Sequence, residues 1–521
     1  MYSRFITGMP AFLNQRVTPD TARATILARL EARERNFLDI LERAVFARPE
    51  SPYQFLLKDA GCEPDDLRQM IAKDGLDATL ASLYDGGMRV SFDEFKGRAP
   101  IVRGGRTLHA TAESFDNPLV RVAHESQSSG STGNPTAAKS GFAHIASHTP
   151  MMLLAQEANG TIGSPTILYR PGQPCQVATY TILRHIVIGN PVRHWFSPVA
   201  TGPTQPIRFR VAAALTPSLV RMCGSPFPKL EVVPFNQAVI VARAAARYAA
   251  EEGRCLVRCS VSAALTVSIA AIENGIDLHS VTFNGTGEPP SPGKVRGINA
   301  SGARYVTNYS MTESGPIGVA CPNGTDATDL HFMRDKLALL QRPHASVATA
   351  EPVGMFFFSS LLATAPKILI NVASDDFGIM EERDCGCMLG ALGLHQHLRQ
   401  IRSVGKLTGR GITLVASDII HIIEEILPGK FGGTPQDYQL LEEEDEGTGA
   451  THLHLLVSPS VHLTDEDAPA RTLLEALTRG TPGASLQSAV LQSAGAVRVR
   501  RQQPRASDRG KLPAFRTVAS R

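Results

Sequence analysis

The chain has 521 residues, more than one ordinary domain needs, and its 43% hydrophobic and 19% charged content marks a globular protein rather than a disordered one. A formal net charge of +3 supplies no basic field for nucleic acid, and eight cysteines in so long a chain exclude a disulfide scaffold. The opening MYSRFITGMPAFLNQRVTPD lacks the apolar core of a secretory signal, and the segment nearest membrane length, VGMFFFSSLLATAPKILINVAS, is interrupted by Pro366 and Lys367, so the expectation is a cytoplasmic protein without a membrane span.

Helical spacing of apolar residues behind a Thr/Asp start predicts one long amphipathic helix from Thr18 to about Phe46. EPDDLRQMIAKDG and DATLASLYDG predict shorter helices, and HESQSSGSTGNPTAAKS, from His124 to Ser140, is a bare loop rich in small residues. The middle of the chain alternates helices (NQAVIVARAAARYAAEEG, SAALTVSIAAIENGI) with short apolar runs (CLVRCS, SVTFNG, YVTNYS), the rhythm of βα units in a mostly parallel sheet. VGMFFFSSLLATAPKILINVAS reads as two buried strands. From about Leu407 the texture becomes helix, strand, strand, helix, strand, a compact α+β unit. The expected fold class is therefore α/β, with a large N-terminal domain of mostly parallel sheets (1–402) and a small α+β C-terminal domain (403–521), the boundary falling near Arg402 to Lys406.

SSGSTGNPT is not a Walker loop, because no G-x-x-x-x-G-K-[ST] occurs in the chain. Its glycines let backbone N–H groups approach an anion, and its hydroxyls add uncharged donors, so alone it reads equally as a phosphate cradle or a flexible linker. Four more segments follow it in order: NGTGEPPSP (Asn284 to Pro292), NYSMTESG (Asn308 to Gly315), SDDFG (Ser374 to Gly378) and PRASDRGKL (Pro504 to Leu512). Taken singly, Tyr309 reads as core, Glu313 as a helix-cap partner, Asp376 as a turn residue and Lys511 as a solvated cation.

In that order and at those separations the segments resemble the core motifs of the adenylate-forming superfamily of acyl-CoA synthetases, adenylation domains and luciferases, and most closely those of the phenylacetate-CoA ligase group. SPYQFLLKDAGCEPDDL, GMFFFSSL and GITLVASDII carry the likeness across most of the chain. The resemblance implies that Ser128, Ser129, Gly130, Ser131, Thr132 and Gly133 hold the β- and γ-phosphates of ATP, and that Gly287, Glu288 and Pro289 line adenine. It implies that Tyr309 stacks on the base with Ser310 beside it, that Thr312 faces the α-phosphate and that Glu313 holds Mg²⁺. Asp376 would grip the ribose hydroxyls, Arg402 would stand beside the hinge, and Lys511 would contact the reacting carboxylate and phosphate. Attack of a carboxylate on a phosphate brings two anions together, which a cation and a metal must offset.

The implied reaction is activation of a small carboxylic acid as its acyl-adenylate with release of pyrophosphate, followed by transfer to a thiol, coenzyme A. The alternatives are an amine or carrier-protein acceptor, an inorganic oxyanion such as nitrite as the acid, or a nucleotide-binding non-catalytic relative. A homodimer is left open. The chain departs from the family pattern at Ser310, where the common residue is Gly; at Asn371 and Val372, which replace Arg-Tyr; and at Val404 and Gly405, which replace an Asp pair at the hinge.

CPNGTDATDLH supplies Cys321 and His331, and CGC supplies Cys385 and Cys387, three thiols and an imidazole suited to a closed tetrahedral zinc site. The alternative is a set of separate buried thiols and a surface histidine. The resemblance favours zinc, since some members of the phenylacetate-CoA ligase group carry a structural zinc on a similar layout. Four protein ligands leave no position for water, so such a zinc would be structural.

Overall fold

The computed structural model describes residues 2–127, 137–172, 176–200, 207–344, 353–403, 406–409, 412–415, 419, 422–445, 451–478, 497–504 and 515–518. Near the N-terminus the segment expected as one long helix is divided. Pro19–Glu31 begins on a capping box in which Thr18 and Thr21 bond each other's backbone and side chain, with proline at the first helical position. Ala32, at φ −92° and ψ 10°, leaves helical geometry, and a second helix, Arg33–Ile40, widens into a π turn over Leu41–Phe46. Two short antiparallel ladders follow, β1 (Ile101–Arg103) with β2 (Arg106–Leu108), and β3 (His124–Gln127) with β4 (Ala137–Ser140).

Twelve strands then build one sheet: β5 (Thr166–Tyr169), β6 (His194–Ser197), β7 (Leu230–Val232), β8 (Cys255–Cys259), β9 (Val281–Gly285), β10 (Arg304–Met311), β11 (Gly315–Ala320), β12 (Leu330–Phe332), β13 (Leu337–His344), β14 (Val353–Ser360), β15 (Val372–Glu382) and β16 (Gln396–Ser403). Their spatial order is β13-β14-β15-β16-β12-β11-β10-β9-β8-β5-β6-β7. From β7 to β10 every pairing is parallel, as the βα rhythm requires, and from β10 to β13 every pairing is antiparallel. The α/β class holds, and the sheet is mixed, with β10 as the seam between its halves. Open α/β sheets bind ligands where the topology switches, beyond the carboxyl ends of parallel strands.

β5, β8 and β9 are buried along their whole length, which is why they read as continuous apolar runs. Helices Phe142–Ala158, Val239–Glu252 and Val261–Glu273 pack on this half. The antiparallel half is covered by the N-terminal helices, whose Phe37, Leu41, Tyr53 and Leu56 join Phe356, Phe358 and Leu369 in one apolar cluster. Tyr53 donates its hydroxyl to Ile368 O at 2.8 Å and ties the two layers.

Beyond β16 come β17 (Lys406–Gly409) paired with β18 (Ile412–Val415), then β19 (Tyr438–Glu444), β20 (Thr451–Val457), β21 (Val497–Arg501) and β22 (Phe515–Val518) in a four-stranded sheet ordered β21-β20-β19-β22. Helix Ala468–Thr478 adds the α part of this α+β unit. No helix among the described residues is long and apolar enough to cross a membrane.

Candidate active site

β10 turns from one partner to the other within its own length. Arg304 to Thr307 pair with β9, Asn308 to Met311 pair with β11, and the register shifts between Tyr309 and Ser310. That bulge redirects the side chains of the NYSMTE segment, as bulges beside active sites do. The following turn ends on Gly315 at φ +75°, where an added Cβ would lie 2.5 Å from His148 Cε1 and 3.3 Å from His144 Nε2. Glycine is therefore required there by both backbone and space.

Tyr309 donates its hydroxyl to Asp376 Oδ2 at 2.6 Å, and Ser403 Oγ donates to Asp376 Oδ1. Asp376 sits opposite Ser403 in the β15–β16 register, with Phe377 opposite Arg402. Its own amide is held by Ser374 Oγ at 3.2 Å, and Asp375 beside it adopts φ +66°, a local strain of the kind that marks functional turns. Burial first, and then the Asp376 charge, push the Tyr309 phenol well above its ordinary pKa, so it stays a donor. The structure thus brings Tyr309, Asp376 and Ser403 into one corner, while Arg402, paired with Phe377, sits one residue before Ser403 on β16 and faces the other side of the sheet.

Glu313 lies under the same corner. Its Oε1 accepts from Lys96 Nζ at 2.5 Å, and each side chain is only 10% exposed. Burial works to raise the Glu313 carboxyl, but Lys96, with the more distant Lys367, holds it below the ordinary value and therefore ionised. Lys96 closes the short helix Phe92–Phe95, which is capped by Ser91 and anchored by Arg103 bonds to Glu94 at 2.8 and 3.2 Å. An ionised, nearly enclosed carboxylate fits a role as a magnesium ligand.

The 284–289 segment reaches this corner through Thr286 Oγ1, 3.2 Å from Ser310 Oγ. Glu288 does not point outward. Its carboxylate accepts from Ser262 N at 2.6 Å, Ser262 Oγ at 2.7 Å and Lys294 Nζ at 3.1 Å, all buried. Any lining of a base by this segment falls to backbone and to Gly287 and Pro289. Thr312 stands in the turn between β10 and β11, next to Glu313. Ser128, Ser129, Gly130, Ser131, Thr132 and Gly133 lie outside the described residues, as do Lys511, Val404 and Gly405. The β3–β4 ladder that flanks the loop ends on Gln127 opposite Ala137.

Asn371, where the family pattern has Arg, has a structural occupation. It is fully buried at φ +48°, a conformation asparagine tolerates, and Nδ2 donates to Leu80 O at 2.8 Å and Met88 O at 3.1 Å. It fastens the N-terminal helices to the strand that carries Asp376.

The cysteines converge elsewhere, at the far end of β11, β12, β15 and β16. His331 Nδ1 bonds Leu394 O at 2.7 Å, which leaves Nε2 facing Cys387 Sγ at 3.1 Å and Cys385 Sγ at 3.6 Å. A fifth group joins them that sequence reasoning missed. His397 stands opposite His331 in the β12–β16 register, and one ligand atom from each of Cys321, His331, Cys385 and His397 lies within 4.8 Å of the others. His397 Nδ1 meets Asp329 Oδ1 at 2.7 Å, while its buried Nε2 has no partner. A carboxylate behind one ring nitrogen and an orphaned second nitrogen is the outer-shell arrangement of zinc histidines. The donor set and the orphaned nitrogen fit a zinc ion. Lys96, Ser403 and His397 had no signal in the sequence, because each reaches its partner only through tertiary pairing.

No family model matches the chain, and no curated protein matches it. Among solved structures it is similar to a 2-hydroxyisobutyryl-CoA ligase in complex with 2-HIB-AMP and CoA, at a TM-score of 0.54 and 15% identity over 94% of this chain and 90% of that one. It is also similar to the amide bond synthetase McbA from Marinactinospora thermotolerans (TM-score 0.42, 13% identity, 94% of this chain and 93% of that one). A third likeness is to an anthranilate CoA ligase, AuaEII, in complex with anthranoyl-AMP (TM-score 0.36, 11% identity, 88% and 78%). The likeness to the 2-hydroxyisobutyryl-CoA ligase gives this chain the fold of the adenylate-forming enzymes.

Proposed function

We propose that the protein activates a carboxylic acid with ATP, forming an acyl-adenylate and pyrophosphate, and then passes the acyl group to a thiol, coenzyme A, as a ligase of the phenylacetate-CoA ligase kind. The observation that carries this reading is the corner at the β10 seam, where Tyr309 and Ser403 both donate to Asp376 and the ionised Glu313 lies alongside. In this reading Asp376 accepts the ribose hydroxyls, its charge focused by two donors already in place. Tyr309, fixed by its bond to Asp376, offers its ring to the base beside Gly287, Pro289, Ser310 and the backbone of Glu288, whose carboxylate is engaged by Ser262 and Lys294. Glu313 holds Mg²⁺, which supplies charge neutralisation for the phosphates, and Thr312 faces the α-phosphate. Ser128, Ser129, Gly130, Ser131, Thr132 and Gly133 cradle the β- and γ-phosphates. Lys511 lies beside the carboxylate and phosphate as they meet, and the 403–521 domain turns about Arg402 between the two half-reactions, carrying that lysine away.

A structural zinc held by Cys321, His331, Cys385 and Cys387, with His397 as the further candidate ligand, would fix the turn after β15 against β12 and β16. The fold of a 2-hydroxyisobutyryl-CoA ligase supports the class of reaction and leaves the acid unnamed. A pyrophosphate-release screen against aryl, fatty and amino acids tests the proposal: release that depends on an added acid supports it, and release indifferent to every acid opposes it. Hydroxylamine trapping with and without coenzyme A separates a thiol acceptor from an amine or carrier protein.

A further inference from the structure

β8, β9 and β10 lie side by side, and three polar side chains fall on one face of them: Arg258, Asn284 and Asn308. Arg258 is opposite Asn284 in the parallel register, and Asn308 Nδ2 donates to Asn284 Oδ1 at 3.0 Å. Gln156 faces them from helix Phe142–Ala158, and between lies a cavity of about 20 Å³ whose polar lining is these four with Asn159 and Thr161, the rest of its wall being apolar side chains such as Met152 and Leu256.

Arg258 is the unusual member. It is 8% exposed, and among the described residues no acidic side chain pairs with it and no hydrogen bond holds its guanidinium. The charged groups that act on it most strongly are Arg184 and Arg170, so the field around it is positive. Burial and these two arginines push its guanidinium down to about 9. Unpaired buried charge is among the costliest arrangements a protein can hold. Gln156 Oε1 is likewise buried without a partner, and the same amide turned end for end presents two N–H donors instead.

The volume limits what fits. One water needs roughly 10–15 Å³ by this measure, so about 20 Å³ takes a single small species and excludes a carboxylate or phosphate. Water would meet the donors and leave the charge uncompensated, whereas a monatomic anion meets both. We propose that a halide-sized monovalent anion occupies this cavity, held by the Arg258 guanidinium and by side-chain amides of Gln156 and Asn284. It stitches β8 to β10 directly beneath Gly285–Pro289 and Tyr309–Glu313, and it stands whether or not the proposed reaction is right.

The full-length protein exchanged into gluconate, an anion too large for the cavity, is titrated with bromide at fixed ionic strength while its melting temperature is followed. A saturable, single-site rise is expected, with an anomalous bromide peak between Arg258 and Asn284 in crystals from the same buffer. Gln156→Glu tethers a carboxylate in the cavity; it is expected to melt above wild type in gluconate and to have lost the bromide response. Arg258→Met is expected to lose the response as well. A wild-type melting temperature indifferent to bromide, or a full response retained in Gln156→Glu, overturns the proposal.

Discussion

Replacing Lys96 with methionine breaks the ion pair at the centre of the site. Methionine keeps apolar contact with Phe92 and Phe95, whose rings lie 5.3 and 5.4 Å from the ammonium, and removes the charge that meets Glu313 at 2.5 Å. Both side chains are 10% exposed, so solvent does little to rescue the abandoned carboxylate. Breaking a buried pair from one side costs about 3–5 kcal/mol, and the field of Lys367 places the expectation at the lower end, about 3 kcal/mol. Lys96→Met with Glu313→Gln removes both charges and should recover much of that loss, a coupling of about 2 kcal/mol. Urea unfolding at constant m measures each corner of the cycle. The sign with pH follows from the lowered Glu313 pKa: the stabilisation is present above the ordinary glutamate value and is lost as pH falls through the folded value, and Lys96→Met flattens that loss. A cost under about 1 kcal/mol, the worth of an exposed pair, would refute the burial argument.

Asp376→Asn removes the charge that Tyr309 and Ser403 address, and it should weaken ATP and AMP binding by roughly 10–100-fold in calorimetry, at about 1.5–3 kcal/mol for hydrogen bonds to a charged group. Metal analysis of protein purified without chelator should give roughly one zinc per chain, and Cys385→Ser should lower both the zinc content and the melting temperature. Zinc content unchanged by Cys385→Ser would remove that residue from the ligand set. Lys511→Ala should abolish adenylate formation while leaving thioester formation from a supplied acyl-adenylate; adenylate formed at the wild-type rate would refute the role.

The segments on either side of the β10 seam stood out in the sequence by their order and residue types, although the seam itself, where parallel pairing gives way to antiparallel, did not. SVTFNGTGEPP contains a fully buried strand and YVTNYSMTESG a partly buried one, each followed by its polar turn, so residue type and order single out both segments. Lys96 could not be read so, since it lies 217 residues from Glu313 and looks like any lysine after a short helix. His397 is similar: only the β12–β16 register sets it opposite His331. Hydropathy also could not separate a buried strand from a buried irregular run. VGMFFFSSLLATAPKILINVAS reads as two buried strands, but after the first of them the chain makes, among the described residues, only an isolated bridge, Lys367 to Asp116, before β15 begins at Val372. Lys367 there turns inward to Asp116 Oδ1 at 2.6 Å and Ala112 O at 2.7 Å, and Asn371 takes positive φ. The long N-terminal helix divides at Ala32, a residue whose identity gives no warning of a break.

Exchange of labelled pyrophosphate into ATP, measured with and without a carboxylic acid from the panel, tests adenylate formation most directly. The account predicts exchange that requires both the acid and Mg²⁺, and that falls to background in Glu313→Gln. Exchange that proceeds equally without acid, or that is unaffected by Glu313→Gln, would contradict it.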